Sequence, residues 1–147
     1  ALLEFLPNIT HEDRSTKLSN YLAQKHLDLS EAEQKEIHNE VTGLLNTPKF
    51  KDVFGPDARA EIPVTGILED GTKITGQIDR LLVTDTDIII VDFKTNRPPP
   101  TKVEDVDKLY RDQLKAYKTI IEKIYPNRTV RCGLLWTNTA TLMKIDV

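Results

Sequence analysis

The chain has 147 residues, of which 39% are hydrophobic and 29% charged, and its formal net charge is −3 at pH 7. This composition excludes a disordered chain, and no apolar run reaches the roughly 20 residues that a membrane-spanning helix needs. The single cysteine, Cys132, excludes an intrachain disulfide, a zinc site built from cysteines and a cysteine-ligated iron–sulfur cluster. Reducing, cytoplasmic surroundings are therefore expected.

Charge is distributed unevenly along the chain. Residues 1–92 carry nine Lys or Arg against 17 Asp or Glu, whereas residues 93–147 carry 11 against six. The mild overall acidity argues against a protein that coats nucleic acid. The basic final third nevertheless leaves room for a local anion-binding surface.

The chain up to residue 54 is predicted to form a small helical region. Residues 1–6 have the composition of the end of a helix already under way, so we expect the chain to be a fragment of a longer protein. A second helix is predicted from about His11 to Lys25. A third begins with Ser30 as its N-cap and Glu33 three residues later, which is the spacing of a capping box.

Residues 55–147 are predicted to begin with three consecutive strands joined by short turns. The strands run from Arg59 to Leu68, from Lys73 to Val83 and from Ile88 to Phe93. Turn residues such as Asp70-Gly71 indicate hairpins. The third strand opens with four consecutive β-branched residues, typical of a strand buried on both faces, so it is placed at or near the centre of the sheet.

A long helix and two more strands are predicted to complete the domain. The helix runs from about Lys102 to Ile124, and the strands from Val130 to Trp136 and from Leu142 to Val147. Cys132 and Trp136 are assigned to the core. A helix between strands of one sheet is a crossover, so the fold class is α/β with a mixed sheet.

The long helix carries an apolar stripe at helical spacing with one polar exception, Gln113. Gly76 on the second strand marks a bulge or a close approach of the backbone. The predicted stripe consists of Val103, Val106, Leu109, Tyr110, Gln113, Leu114, Tyr117, Ile120, Ile121 and Ile124.

Two carboxylates and an ammonium group are predicted to meet at the end of the third strand. Asp92 and Lys94 are two residues apart in that strand, so both side chains leave the same face. Asp79 lies on the preceding strand, which a short turn places beside this one. Burying such a cluster costs free energy unless the charges are paired or hold a metal ion. We therefore expect Asp79 and Asp92 on one face, close enough to share one ion.

This constellation suits metal-assisted hydrolysis of a phosphodiester. Asp79 and Asp92 offer the hard oxygen ligands that Mg²⁺ or Mn²⁺ prefers. Lys94 can orient the attacking water or stabilise negative charge on the phosphate. The backbone carbonyl of Phe93 is a further candidate ligand. Glu61 on the first strand is a candidate ligand for this or a second metal ion, or a carboxylate that supports the ligands without touching the metal.

Gln113 and Tyr117, one turn apart on the helix, are expected to lie over these strand ends and to position the catalytic groups or a DNA phosphate. Each residue alone also has an ordinary explanation, such as a solvated strand end for an Asp or a backbone-bonded interior amide for Gln113. The basic residues of the helix form either a solvated face or an electrostatic contact with DNA. These residues are Lys108, Arg111, Lys115 and Lys118.

Three ordered motifs resemble those of a known nuclease family. They are the segment from Gly76 to Leu81, the segment from Val91 to Asn96, and Gln113 followed four residues later by Tyr117. The set resembles the RecB-type branch of the PD-(D/E)XK nucleases. It is most similar to the C-terminal nuclease domain of AddA, the helicase–nuclease subunit of double-strand-break repair. Three further segments also look like that family, particularly the AddA proteins of alphaproteobacteria: residues 94–99, Tyr125-Pro126 and residues 134–137. The resemblance covers the chain from about residue 55 to the end and, more weakly, the N-terminal helices.

The resemblance implies a restriction-endonuclease-like core and Mg²⁺-dependent exonuclease cleavage of DNA that an attached, ATP-driven helicase unwinds. It also implies an AddB-type partner subunit. Two alternatives stay open. One is a non-catalytic module of the same fold that binds DNA or docks a partner. The other is a different exonuclease of the superfamily, of the CRISPR-adaptation or phage type.

One motif of that family has no match among these residues. The family's metal-binding His on an upstream helix is expected just before Ala1. His11, His26 and His38 do not stand in the matching context and are expected to be surface residues of the helical region. We therefore expect an incomplete set of metal ligands and an isolated fragment that can be inactive.

Overall fold

The computed structural model describes residues 2–147, and the chain divides into two compact units. The first unit ends at Pro56 and the second is Asp57–Val147. The sequence predicts this boundary two residues earlier, after residue 54. Within residues 2–147, no helix is long and apolar enough to cross a membrane.

The first unit consists of three helices, α1 (Leu2–Phe5), α2 (His11–Leu22) and α3 (Glu31–Leu45). Helix α2 ends before the predicted Lys25, because the chain there turns into a short 3-10 helix, Lys25–Leu27, and the following residue takes a left-handed conformation. The apolar sides of the helices meet in a small core. Its buried members are Leu6, Leu18, Leu22 and Val41.

The capping box at the start of α3 is confirmed. The Ser30 hydroxyl accepts a hydrogen bond from the Glu33 backbone N–H at 3.2 Å, and the Ser30 N–H donates to the Glu33 carboxylate at 2.7 Å. Two of the three histidines are exposed, as expected. His38 is half-buried and lies 3.2 Å from the Ser15 hydroxyl, because α2 and α3 pack against each other.

The second unit is built on one five-stranded mixed sheet in the order β1-β2-β3-β4-β5. All neighbouring strands are antiparallel except β3 and β4, which are parallel. The prediction that β3 is central is confirmed, as is the α/β fold class. The strands are β1 (Ala58–Ile67), β2 (Lys73–Val83), β3 (Asp87–Lys94), β4 (Thr129–Trp136) and β5 (Thr141–Ile145).

Helix α4 (Lys108–Ile124) joins the parallel strands and covers one face of the sheet. It begins six residues later than predicted. Val103–Asp105 forms a separate 3-10 turn, and the Asp107 carboxylate caps α4 by accepting from the backbone N–H of Leu109 at 2.9 Å.

Three members of the predicted apolar stripe are exposed, so that part of the prediction is wrong. Val103, Leu109 and Ile124 are 39%, 73% and 60% exposed. Val103 precedes the helix, and the other two lie in its terminal turns. The buried positions of α4 run only from Leu114 to Ile121, because the sheet covers only the middle of the helix.

The core between α4 and the sheet is apolar and close to fully buried. Each such side chain contributes about 1.5–3 kcal/mol relative to exposure. The expected core positions of Cys132 and Trp136 are confirmed. Other members are Ile78, Ile88, Ile90, Leu114, Ile121 and Leu134.

Gly76 lies at a close approach of the strand backbone to a side chain of α4. A Cβ added there would overlap the Tyr117 hydroxyl and lie 2.9 Å from its Cζ. Gly76 pairs in register with Val64 on β1, so the alternative of a bulge is wrong. Glycine at this position lets the Tyr117 ring lie on the sheet.

Gly76→Ala is expected to destabilise the second unit by about 1–3 kcal/mol, because the added methyl group forces the Tyr117 ring out of its place. Urea unfolding followed by the fluorescence of Trp136, the single tryptophan, measures this loss. Adding Tyr117→Phe removes the hydroxyl that the methyl group meets, so the double variant should lose less than the two single variants together. Strictly additive losses would contradict the proposed contact.

Candidate active site

The two predicted carboxylates are cross-strand neighbours on β2 and β3. The pairing of these strands includes Arg80 with Val91, and the next position in the same register sets Asp79 opposite Asp92. Residues opposite each other in an antiparallel pair point to the same face, with Cβ atoms about 4.5–5.5 Å apart. The backbone N–H of Phe93 donates a 2.7 Å hydrogen bond to the Asp79 carboxylate. This bond fixes the Asp79 side chain against the end of β3.

Lys94 turns to the same face and pairs with Asp92. Its Nζ lies 2.6 Å from Asp92 Oδ2, and the two side chains are only 15% and 8% exposed. The ammonium group is also 3.4 Å from the Gln113 amide oxygen and 4.1 Å from the centre of the Tyr110 ring. The buried charge of Asp92 is therefore balanced within the site.

Helix α4 contributes two of the predicted residues to this face. The Gln113 amide accepts from Lys94 through its oxygen, and its nitrogen donates to the Tyr117 hydroxyl at 3.3 Å. The two residues are one helical turn apart, which places them on the same side of α4. Gln113 thus links the end of β3 to Tyr117, whose ring lies against Gly76 of β2.

The surroundings of Asp79 disfavour its negative charge. Burial, and then the neighbouring charge of Asp92 and a hydrogen bond with its carboxyl group, raise the pKa of Asp79 to about 6. The Phe93 N–H and the charge of Lys94 oppose this rise. Because two carboxylates share the site with one ammonium group, an added cation would be stabilised there.

The two aspartates fit a Mg²⁺ ion. Magnesium is usually held by one or two protein carboxylates, with water and substrate phosphate oxygens completing its coordination. Among residues 2–147, no group of three or more His, Cys, Asp or Glu side chains could hold a metal ion.

Glu61 does not join the aspartates in a three-carboxylate cluster. It occupies the register position opposite Asp79, between the pairs of Ala60 with Arg80 and Ile62 with Ile78. Its backbone has a φ of 50°, and its carbonyl oxygen accepts from the Gln77 amide at 3.1 Å. Gln77 also lies 3.5 Å from the Glu61 carboxylate, so the side chain turns toward Gln77.

The four basic residues of α4 have different surroundings. Lys108 pairs with Asp112 at 2.5 Å, and Lys118 donates to the Val147 carbonyl oxygen at 2.7 Å. Arg111 is half-buried and Lys115 is exposed. Their spacing of three, four and three residues places them along one side of α4, and a contact with DNA stays a prediction.

Sequence interpretation overlooked two residues that touch the site, Tyr110 and Asn96. The helical spacing places Tyr110 only in the apolar stripe, but its ring contacts the Lys94 ammonium and its hydroxyl donates to Asn96 at 3.2 Å. The signal was present, because Tyr110 lies three residues before Gln113 on one side of the helix.

A mixed five-stranded sheet with an aspartate on β2 and an aspartate and a lysine at the end of the central strand β3 fits a restriction-endonuclease-like α/β fold, as expected. The chain belongs to the PD-(D/E)XK nuclease superfamily, whose family model matches residues 4–145. Among solved structures, the crystal structure of SSO0001 is similar with a TM-score of 0.43 and 14% sequence identity, over 90% of this chain and 77% of that chain. No curated protein matches the chain.

Raising the pH through the pKa of Asp79 is expected to lower the stability of the second unit. The folded chain holds this proton up to about pH 6, whereas an unperturbed carboxyl releases it near 3.8, so ionisation costs free energy in the folded state. The unfolding free energy of the wild type minus that of Asp79→Asn should fall between these pH values and level off above them.

Urea titrations at a series of pH values, followed by Trp136 fluorescence, measure this difference. Asp85→Asn is the matched control, because Asp85 lies exposed in the turn between β2 and β3. This control shows how far the loss of an exposed carboxylate alone changes the unfolding free energy. A difference for Asp79→Asn that grows with pH would contradict the raised pKa.

Proposed function

We propose that this chain is a metal-dependent nuclease domain that hydrolyses DNA phosphodiesters. The observation that carries the proposal is the pairing of Lys94 with Asp92 at 2.6 Å on the face that Asp79 shares. Superfamily membership over residues 4–145 supports the same chemistry.

Each residue of the site has a role in this proposal. Asp79, Asp92 and the backbone carbonyl of Phe93 would hold Mg²⁺ or Mn²⁺. When bound, the cation would supply charge neutralisation at the scissile phosphate and a lowered pKa for an attacking water molecule. Lys94 would donate a hydrogen bond to that water or to a phosphate oxygen, where negative charge develops in the transition state.

Gln113 and Tyr117 would keep this arrangement in place. The Gln113 amide contacts Lys94 with its oxygen and Tyr117 with its nitrogen, so it restricts the flexible lysine. Tyr117 in turn lies against Gly76. A preorganised donor is effective because it does not have to reorient as the reaction proceeds.

We further propose that the domain is of the AddA type, an exonuclease that cuts DNA unwound by an attached helicase in cytoplasmic double-strand-break repair with an AddB-type partner. The support for this finer assignment is the resemblance of three motifs, from Gly76 to Leu81, from Val91 to Asn96, and Gln113 with Tyr117. In that setting a further metal ligand, the His of the family's first motif, would come from upstream of residue 1.

A second candidate function is a non-catalytic module of the same fold that binds DNA or docks a partner. The observation that favours it is the absence, among residues 2–147, of a group of three or more metal-binding side chains. Calorimetric titration with Mn²⁺ separates the two candidates, because the nuclease must bind the metal and the module need not.

Asp92→Asn is expected to reduce cleavage of labelled single-stranded DNA by about 100-fold or more in Mg²⁺ or Mn²⁺, because the charge that faces the metal and Lys94 is lost. Asp112→Asn is the matched control, since Asp112 is exposed on α4 and pairs with Lys108. If the natural protein extends upstream, the longer chain should be tested in parallel and should cut faster.

Equal cleavage by the wild type and Asp92→Asn would refute the assignment. Absence of both cleavage and Mn²⁺ binding in the wild type and in the longer chain would favour the non-catalytic module.

A further inference from the structure

Tyr110 lies on α4 one turn before Gln113, and its half-buried ring faces the end of β3. The Lys94 ammonium group is 4.1 Å from the centre of that ring. We propose that Tyr110 is a positioning residue, which holds the Lys94 ammonium beside Asp92 through the face of its ring. This role rests on the proposed nuclease function.

The ammonium group meets an aromatic ring face on one side, in addition to a carboxylate and an amide oxygen. Lys94 Nζ has Asp92 Oδ2 at 2.6 Å and the Gln113 amide oxygen at 3.4 Å. The negative face of an aromatic ring attracts a cation, and more strongly when water is excluded. A lysine has a long stem with several rotatable bonds, so a contact on this side narrows the positions that Nζ can take.

The orientation of the Tyr110 ring is itself fixed. Its hydroxyl donates to the Asn96 side-chain oxygen at 3.2 Å, and its ring lies 6.3 Å from that of Trp136 at an angle of 52°. Trp136 is 1% exposed and is the register partner of Lys94 on β4. The ring is therefore held at the strand end by Asn96, two residues after Lys94, and by Trp136, beside Lys94 on β4.

This arrangement divides two tasks between neighbouring residues of α4. Gln113 contacts the ammonium group through a hydrogen bond, which has a direction. The Tyr110 ring attracts the same group without accepting such a bond along a fixed line. Lys94 can thus keep its place while its N–H groups turn toward a substrate oxygen.

The position of Lys94 can be measured by NMR without any cleavage assay. The methylene protons next to Nζ lie near the ring face, so ring-current shielding should move their resonance upfield from that of an exposed lysine. Tyr110→Leu should abolish this shift, and Tyr110→Phe should keep it. Tyr125→Leu is the matched control, because Tyr125 carries a comparable cation contact with Arg128, 5.1 Å from its ring, and should leave the Lys94 resonance unchanged.

Cleavage kinetics provide the second measurement. Tyr110→Leu should lower kcat by about tenfold with KM within about twofold, because a displaced ammonium weakens stabilisation of the transition state more than binding of DNA. Tyr110→Phe should stay within about threefold of the wild type, since it keeps the ring and loses only the bond to Asn96. Far-UV circular dichroism shows whether each variant is folded, since Trp136 lies beside the substituted ring.

The outcomes separate this proposal from the proposed function. A Lys94 shift that survives Tyr110→Leu overturns the positioning role, whatever the protein cleaves. A shift that depends on the ring, in a protein that neither cuts DNA nor binds Mn²⁺ even as the longer chain, supports the contact and refutes the nuclease function. Equal loss of kcat in Tyr110→Phe and Tyr110→Leu would assign the effect to the hydroxyl and overturn the role of the ring.

Discussion

The pairing of Asp92 with Lys94 is the interaction on which the rest of the second unit depends. Both side chains are nearly buried, and an unpaired buried charge would cost several kcal/mol. The pair therefore has to be formed and held whenever the sheet is folded. The residues around the pair reflect that requirement. Gln113 and Tyr110 contact the ammonium group, and Asp79 lies opposite Asp92 on β2.

Helix α4 packs close enough to the sheet to contact this pair, and the close packing restricts which residue can occupy position 76 on β2. Gln113 reaches Lys94 only because α4 lies close to the sheet, and the same closeness brings Tyr117 onto β2. A side chain at Gly76 would hold the helix away. The contact between Gln113 and Lys94 on β3 thus depends on the absence of a side chain at Gly76 on β2. The same packing of α4 on the sheet forms both the core and the site.

Much of the fold could be predicted because its signals are local. Three of these signals involve only residues that are close together in sequence: the capping box at Ser30, the β-branched run of β3 and the turn at Gly71. The convergence of Asp79 and Asp92 followed from the alternation of side chains in a strand. These features do not depend on how distant segments pack.

The features that sequence reasoning missed depend on tertiary structure. The start of α4 is set by the Asp107 cap, while an apolar residue at Val103 continued the helical spacing outside the helix. Leu109 follows the same spacing but has no sheet above it. The contact of Tyr110 with Lys94 joins residues on two separate elements, and the distortion at Glu61 interrupts a strand that composition alone describes as regular.

The parallel pairing of β3 with β4 has a consequence for the order in which the site assembles. Asp79 and Asp92 lie on strands joined by a short turn, so the two like charges meet through contacts that are close in sequence. The contacts between Lys94 and α4 form only after α4 has packed onto the sheet, which requires closing a longer loop of the chain. Contacts between residues that are far apart in sequence form more slowly. We therefore expect the like charges of Asp79 and Asp92 to come together before α4 restrains the Lys94 ammonium group beside them.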